Sequence, residues 1–279
     1  MIKWIALIIS MIAASIGCYW VSTPHLVLSI LVWVGLCIAA MLVQVMLFFL
    51  VAFILGIPVR KNKETLHYRP FYRRVMYWYT RCCLSLFNVK IVARGLDKLP
   101  QDGPFVIVSN HLSNIDSMVM DVLLKDFPLV FVTKESLFHI PFFGKIIHGI
   151  GYLKLERGNI RKEVVTIKKG ISFLNQGECS VGVYPEGTRN FTNEILLPFK
   201  PGCFHLATKT KKPIVVCVTT GTEQIKYHPI FKKHTVTFQV LDVIEAKAYQ
   251  DLTTRQIGET ISTMMIKELS KYEKKNAPR

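Results

Sequence analysis

Residues 105–116 read FVIVSNHLSNID, an apolar run followed directly by a polar turn and the start of a helix. The apolar, β-branched residues 105–108 are typical of a buried strand. In the turn, Ser113 and Asp116 have the spacing of a capping box, with a serine cap and a carboxylate near the positive helix end. The stretch therefore predicts a strand, a turn and a helix in succession.

The same alternation of elements continues on both sides of this stretch. Short apolar, β-branched runs predict strands at 89–92, 105–108, 129–132, 180–184, 214–219 and 235–241. Helical patterns lie near 114–125, 159–175, 202–211 and 252–274. Strands separated by helices predict an α/β fold with a mostly parallel, mixed sheet flanked by helices. Functional residues are expected at the carboxyl ends of its strands.

Charge and apolar residues are unevenly distributed along the 279 residues. The net charge is +16, yet 51% of the residues are hydrophobic and the mean hydropathy is +0.32. Lys3 is the only charged residue before Arg60. This composition excludes a disordered chain and a purely soluble globule. Seven cysteines without a CxxC pair or zinc-ligand spacing indicate free thiols in a reducing compartment.

The uncharged N-terminal part predicts a membrane-embedded helical hairpin over residues 1–59. Pro24 lies in a short polar connector between two apolar runs. Lys3 precedes the first run, and Arg60, Lys61 and Lys63 follow the second, so both outer ends are expected on the cytoplasmic side. The pattern leaves open whether the hairpin spans the bilayer or dips into one leaflet. A cleaved signal peptide is a competing interpretation.

Residues 60–86 interleave arginines with aromatic residues and precede an α/β domain predicted over 87–279. Rings among lipid headgroups and guanidiniums on phosphates would make this an interfacial segment. A helix packed on the domain, with its arginines in solvent, is the alternative. The basic composition favours an anionic membrane surface over nucleic acid as the partner.

The turn after residue 108 carries the first candidate for chemistry, His111 followed five residues later by Asp116. A carboxylate on one ring nitrogen would leave the other nitrogen free as a general base. Helix capping by Asp116 explains the same spacing without any chemistry. Because no Gly-x-Ser-x-Gly nucleophile pattern exists, the base would act on a substrate hydroxyl, in direct acyl or phosphoryl transfer.

A second candidate follows the strand at 180–184, where residues 185–189 read PEGTR. Gly187 permits close backbone approach, and Arg189 offers a planar fork for a phosphate, with Glu186 on that fork or on a substrate hydroxyl. A third stretch, 134–157, adds Lys134 and Arg157 as further cations for an anion. A solvated surface turn and ordinary core packing are the alternatives for these two stretches.

Together these blocks resemble the glycerolipid acyltransferases, and most closely the 1-acylglycerol-3-phosphate acyltransferases. The blocks occur in order at 110–116, 134–157, 185–189 and 213–216, with a PFKPG connector at 198–202. Tyr184 departs from the phenylalanine that is more frequent there. The resemblance implies the site residues His111 as base, Asp116 as its orienting partner, and Asn110, Ser113, Lys134, Arg157, Glu186, Gly187, Thr188 and Arg189 as substrate-binding residues.

The resemblance also implies a reaction. A fatty acyl group would pass from acyl-CoA or acyl-carrier protein to the free hydroxyl of 1-acylglycerol-3-phosphate, giving phosphatidic acid for phospholipid biosynthesis. Neither a metal nor a cofactor beyond the thioester is expected, and the catalytic domain would lie on the cytoplasmic face. Another lysolipid or glycerol 3-phosphate as acceptor, a membrane-tethered hydrolase and a nucleic-acid-binding protein remain alternatives.

Overall fold

A computed structural model describes residues 2–20, 25–59, 67–226 and 232–276. The chain divides into two compact units, Met1–Arg60 and Lys61–Arg279. Residues 22–24 of the predicted connector at 22–25 lie outside the described residues. So do Arg60, Lys61 and Lys63 and the side chain of Lys3.

The first unit is a pair of apolar helices, α1 (Ile2–Trp20) and α2 (Leu26–Gly56). They run antiparallel, since Cys18 lies beside Ser29 and Gln44 lies beside Ala6. At 1.5 Å per residue, α2 extends about 46 Å, more than a hydrocarbon core of about 30 Å requires. Of the described helices, α2 alone is long and apolar enough to cross a membrane. The predicted apolar helices are confirmed.

Polar side chains join α1 to α2. The Gln44 amide donates to Ser10 Oγ at 3.0 Å and to the Ala6 carbonyl at 3.3 Å. Trp33 Nε1 donates to Ser15 Oγ at 3.1 Å. Gly17 lies so close to α2 that a Cβ there would approach Leu36 to 2.9 Å. These contacts fix the register of the two helices along one another.

The second unit contains the remaining elements, which alternate as predicted. The strands are β1 (Val89–Arg94), β2 (Val106–Ser109), β3 (Leu129–Lys134), β4 (Leu153–Leu155), β5 (Ser180–Val183), β6 (Ile214–Thr220) and β7 (His234–Ile244). The helices are α3 (Pro70–Leu86), α4 (Ile115–Leu123), α5 (Phe143–Ile150), α6 (Ile160–Asn175), α7 (His205–Thr210), α8 (Ala246–Tyr249) and α9 (Thr254–Asn276).

The strands form one seven-stranded sheet in the order β1-β7-β6-β2-β5-β3-β4. Five neighbouring strands, β6, β2, β5, β3 and β4, are parallel. Strand β7 pairs antiparallel with β6 and parallel with β1, so these two edge-side strands run the other way. Every residue of β2, β5 and β6 is buried, as expected for central strands covered on both faces. The predicted mixed, mostly parallel sheet is confirmed.

The arginine- and aromatic-rich segment is helical over α3, which packs on α4 and α5. Tyr72, Arg73 and Met76 are buried, whereas Arg74 and Trp78 on the other face are exposed. This segment is therefore a helix packed on the domain, and contact of its exposed face with lipid headgroups stays a prediction. One point of the packed-helix interpretation is corrected. Arg73 is not solvated, because it forms a buried ion pair with Asp121 of α4.

Candidate active site

Four adjacent parallel strands deliver the predicted site residues to one edge of the sheet. His111 follows β2, and Glu186 follows β5. Lys134 ends β3, and Arg157 follows β4. Because these strands are parallel, their carboxyl ends meet at the same edge, where open α/β sheets form their sites.

His111 is oriented through both its backbone and its ring. Its Nδ1 lies 3.0 Å from Asp116 Oδ2, and its backbone N–H donates to Glu186 Oε1 at 2.7 Å. Its carbonyl accepts from the Asn190 N–H at 2.7 Å. The imidazole is largely buried, and Nε2 has no hydrogen-bond partner among the described residues. The arrangement leaves Nε2 available as a base at a cavity wall.

Asp116 both orients the histidine and caps the turn. Besides His111, its Oδ2 accepts from the backbone N–H groups of Leu112 at 2.7 Å and Ser113 at 2.8 Å. Its Oδ1 accepts from the hydroxyl of Thr222, in the loop after β6. The carboxylate is fully buried. The capping and orienting interpretations are therefore compatible, because one carboxylate binds both the N–H groups of the turn and the imidazole ring.

An aromatic ring supports the flat face of the imidazole. Tyr184 stacks on His111 with ring centroids 4.0 Å apart and planes 16° apart, and its hydroxyl lies 2.9 Å from Ser117 Oγ. Burial and the charge of Asp116 hold the Tyr184 pKa well above its usual value, so the phenol stays neutral. The ring adds a third restraint on the orientation of His111.

Glu186 acts as a connection within the site. Its Oε1 accepts from the His111 backbone, and its Oε2 accepts from the Leu197 N–H at 3.0 Å. Burial raises its pKa to about 7, against the lowering effect of these two hydrogen bonds. No ion pair joins it to Arg189 among the described residues, so the suggested carboxylate support for that fork is absent there.

The loop after Glu186 approaches a lysine closely. Gly187 has φ +68°, in the left-handed region that favours glycine. A Cβ there would lie 2.9 Å from Cδ and Cε of Lys200 and 3.2 Å from its Nζ. The Lys200 side chain therefore crosses the loop at this glycine, and its ammonium group lies beside the predicted phosphate-binding residues.

Arg189 lies close enough to Arg157 to act on it electrostatically. Burial and the neighbouring Arg189 lower the Arg157 pKa, and Glu163 opposes this effect. The Arg189 guanidinium lies 4.9 Å from the ring centroid of Phe191. Two like charges in one place are stabilised when an anion lies between them, so this pair is suited to a phosphate.

A cavity of about 1000 Å³ lies in front of these residues. Its walls include His111, Lys134, Arg157, Gly187, Thr188 and Arg189. Apolar side chains such as Met76, Phe131 and Leu137 line other parts of it. One space therefore contains a candidate base, several cations and apolar surface.

Four predicted site residues do not line this cavity. Asp116 and Glu186 act through their contacts with His111. Asn110 is buried, with its amide donating to the Thr219 carbonyl at 2.9 Å and accepting from the Thr219 N–H at 2.8 Å. Ser113 Oγ accepts from the Ile115 N–H at 3.3 Å. These contacts support the site, and substrate binding by Asn110 and Ser113 stays a prediction.

Several groups around the site have no signal in the sequence. Thr222 and Ser117 carry no motif that marks them as partners of Asp116 and Tyr184. The buried ion pair between Arg73 and Asp121 also has no signal in the sequence. Asp121 lines the cavity together with Tyr152, whose Oη donates to Asp121 Oδ1 at 3.2 Å. Lys200 could have been found from the sequence, because it lies in the PFKPG connector at 198–202. No cluster of three or more metal-ligating side chains occurs in the described part of the chain.

The sequence is similar to those of known acyltransferases. An acyltransferase family model matches residues 90–220. The 1-acyl-sn-glycerol-3-phosphate acyltransferase of Escherichia coli is 30% identical over 195 residues, 70% of this chain and 78% of that protein. The protein of the same name from Saccharomyces cerevisiae is 32% identical over 191 residues, 67% of this chain and 60% of that one.

A solved structure is similar as well. The crystal structure of the 1-acyl-sn-glycerophosphate (LPA) acyltransferase from Thermotoga maritima superposes with a TM-score of 0.60 at 20% identity. The superposition covers 72% of this chain and 79% of that one. At this identity the likeness supports the fold, and the span matched by the family model includes His111, Asp116 and Arg189.

Proposed function

The chain belongs to the acyltransferase family of these relatives, and we propose that it transfers a fatty acyl group from an acyl thioester to the free hydroxyl of 1-acylglycerol-3-phosphate. The product is phosphatidic acid, a precursor of phospholipids. The observation that carries this proposal is the oriented His111 at the wall of a cavity that also contains Arg157 and Arg189.

The proposed chemistry is a direct transfer. His111 Nε2 takes the proton of the acceptor hydroxyl as its oxygen bonds to the thioester carbonyl carbon. The carbon–sulfur bond then breaks, and the proton passes to the departing thiolate. General-base catalysis of this kind contributes about 10²- to 10⁴-fold. Asp116 holds the imidazole in the tautomer whose Nε2 is unprotonated, because its Oδ2 faces Nδ1.

The acceptor phosphate is assigned to the cations at the ends of β4 and β5. Arg189 and Arg157 provide planar forks, and Lys134 adds a third positive charge or assists the developing oxyanion. Holding the phosphate places the free hydroxyl near His111, which lowers the entropic cost of the encounter. The reaction asks for no metal or cofactor beyond the thioester, since a thiolate is already a good leaving group.

Product analysis with competing acceptors tests the proposal. The purified full-length protein, in lipid micelles with one thioester donor, is offered lysophosphatidate together with other lysolipids and glycerol 3-phosphate. Phosphatidate is expected as the main product, separated and identified by mass spectrometry. Faster acylation of another acceptor would contradict the proposed substrate. Release of free fatty acid without loss of lysolipid would identify a hydrolase.

We also propose that α1 and α2 anchor the enzyme in the membrane with the catalytic unit on the cytoplasmic face. The length of α2 and the basic residues at both ends of the apolar part support this placement. The basic composition of the rest of the chain suits an anionic lipid surface. Protease treatment of sealed vesicles of known orientation tests it, because the catalytic unit is expected to be cut only where the cytoplasmic face is outside.

A further inference from the structure

The cavity contains more positive charge than one phosphate group needs. Four basic side chains line it in addition to Lys134, Arg157 and Arg189: Lys168, Lys200, His205 and Lys209. We call these four the α6–α7 basic group. All four are exposed, and none has a side-chain hydrogen bond or ion pair with a described residue. They are therefore free to bind a ligand.

Two lysines of the same region that do not line the cavity have carboxylate partners. Lys154 pairs with Glu135 at 2.7 Å, and Lys162 pairs with Glu156 at 2.6 Å. Like charges around one cavity repel each other, and an anion among them removes that repulsion. Several positive charges around one cavity, without a carboxylate partner in the described part of the chain, therefore suit an anionic ligand.

The α6–α7 basic group occupies one side of the cavity. His205 and Lys209 are one turn apart on α7 and so share a face. Lys168 belongs to a stripe of α6 at helical spacing, with Val164 and Ile171, that also lines the cavity, and α6 packs on α7. Lys200 immediately precedes the turn that leads into α7.

This group is distinct from the predicted acceptor site. Arg189 lies near enough to Arg157 to help lower its pKa, and Glu163 at the beginning of α6 acts on Arg157 in the opposite direction. Lys168 is five residues further along that helix, about 7.5 Å away along its axis. Lys200, beside Gly187, lies at the border between the two sets. The cavity thus offers two neighbouring places for anions.

We propose that the α6–α7 basic group binds the phosphate groups of a coenzyme A thioester, the acyl donor; this rests on the proposed function. The thioester carbonyl must lie near His111, and the pantetheine arm separates it from the phosphates. Coenzyme A carries a pyrophosphate and a 3′-phosphate, whereas the arm of a carrier protein carries one phosphodiester. Three lysines and a histidine match the more highly charged ligand.

The test compares two double variants of the full-length enzyme in micelles. Lys168→Gln/Lys209→Gln removes two charges from the group. Arg161→Gln/Lys211→Gln removes two charges from α6 and the residue after α7, at exposed positions that do not line the cavity. The second variant controls for the loss of overall positive charge. Donors are acyl-CoA and acyl-pantetheine, which lacks all phosphates.

With acyl-CoA, the KM of Lys168→Gln/Lys209→Gln is expected to rise about tenfold or more, as for loss of charge-assisted contacts. Its KM values for acyl-pantetheine and for lysophosphatidate are expected to stay unchanged, and the control variant is expected to match wild type. An unchanged KM for acyl-CoA, an equal rise with acyl-pantetheine, or a raised KM for lysophosphatidate would overturn the assignment. So would a wild-type enzyme that accepts acyl-carrier protein but not acyl-CoA.

Calorimetric binding of free coenzyme A separates this inference from the proposed function. Wild type is expected to bind it, and the variant about tenfold more weakly, without any acceptor lipid. If coenzyme A binds in this way and no phosphatidate forms, the proposed function fails and the binding site stands. If phosphatidate forms and the variant binds coenzyme A like wild type, the site fails and the function stands.

Discussion

The turn after β2 and the α6–α7 basic group of the cavity differ in how firmly their side chains are fixed. His111 is largely buried and Asp116 is fully buried, and hydrogen bonds to Glu186 and Thr222 fix them to other segments of the chain. Lys168 and Lys209 are exposed and unpaired among the described residues. A base needs one orientation, whereas binding an anion needs charge within reach. Disrupting the first region should therefore reduce turnover, and disrupting the second should weaken binding.

The sharpest test of this comparison is His111→Ala. We expect kcat to fall about 10²- to 10⁴-fold, because the general base is removed. The KM for lysophosphatidate should stay near wild type, since the phosphate is assigned to other residues. Steady-state assay of phosphatidate formation in micelles measures both constants. Turnover near the wild-type value would remove His111 from the mechanism.

Asp116→Asn is expected to have the next largest effect, on both turnover and stability. Both carboxylate oxygens accept hydrogen bonds, and Oδ2 faces His111 Nδ1 and the Leu112 N–H. In asparagine one of the two oxygens is replaced by an NH₂ group, which donates and cannot accept. We expect kcat to fall about 100-fold or more and the free energy of unfolding to fall by about 2 kcal/mol. Assay and urea denaturation measure these. Ser113→Ala, which removes one weaker contact, is the matched control; wild-type turnover in the Asp116→Asn variant would refute the orienting role.

Arg189→Ala probes the second region. The KM for lysophosphatidate should rise about tenfold with a smaller change in kcat, because a charge-assisted phosphate contact is lost. Phe191→Leu removes only the ring beside the guanidinium and should raise that KM less. A kcat effect without a KM effect would place Arg189 with the base rather than with the phosphate.

Tyr184 lies in the rigid region and allows a finer comparison. Tyr184→Leu removes the stacked ring, and we expect kcat to fall about fivefold with the acceptor KM unchanged, from loss of an aromatic contact of about 1 kcal/mol. Tyr184→Phe keeps the ring and loses only the hydroxyl near Ser117, so kcat should stay within about twofold. Equal losses in the two variants would show that the hydroxyl, rather than the ring, orients His111.

The last expected effect is on stability rather than on turnover, and it depends on pH. Burial raises the Glu186 pKa from 4.5 to about 7, so between these values the folded protein holds a proton that the unfolded chain has lost. The free energy of unfolding therefore decreases as pH rises through this window. Glu186→Gln lacks this titration. As pH rises from about 5 to 8, the free energy of unfolding of wild type should therefore fall by about 1 to 2 kcal/mol relative to that of the variant. Urea denaturation of both proteins across this range checks it, and parallel profiles would contradict it.

Local patterns predicted most of the secondary structure. They could not predict the shortest elements or the pairing of strands that are far apart in the sequence. The strand and helix at 105–125 follow from periodicity, but β4 is only three residues long and α5 only eight, too short for a clear pattern. The placement of β1 beside β7 joins residues about 145 positions apart, as in the Val89 and His234 pair. No local pattern encodes such a pairing.

The site divides in the same way. His111 and Asp116 are five residues apart, so their spacing is informative by itself. Thr222 contacts Asp116 across 106 residues, and Arg73 contacts Asp121 across 48. The aromatic and arginine pattern of α3 predicted a helix or an interfacial segment, but it could not predict which arginine is buried. That depends on where α4 places its carboxylate.

The hydrogen bonds between α1 and α2 have a consequence for the proposed membrane anchor. Gln44 relies on Ser10 and the Ala6 carbonyl for its contacts to the other helix. In hydrocarbon, an amide without a partner costs several kcal/mol, so α2 alone would be penalised at this position. The proposed anchor is therefore expected to lie in hydrocarbon at lower energy as the pair of helices than as α2 alone.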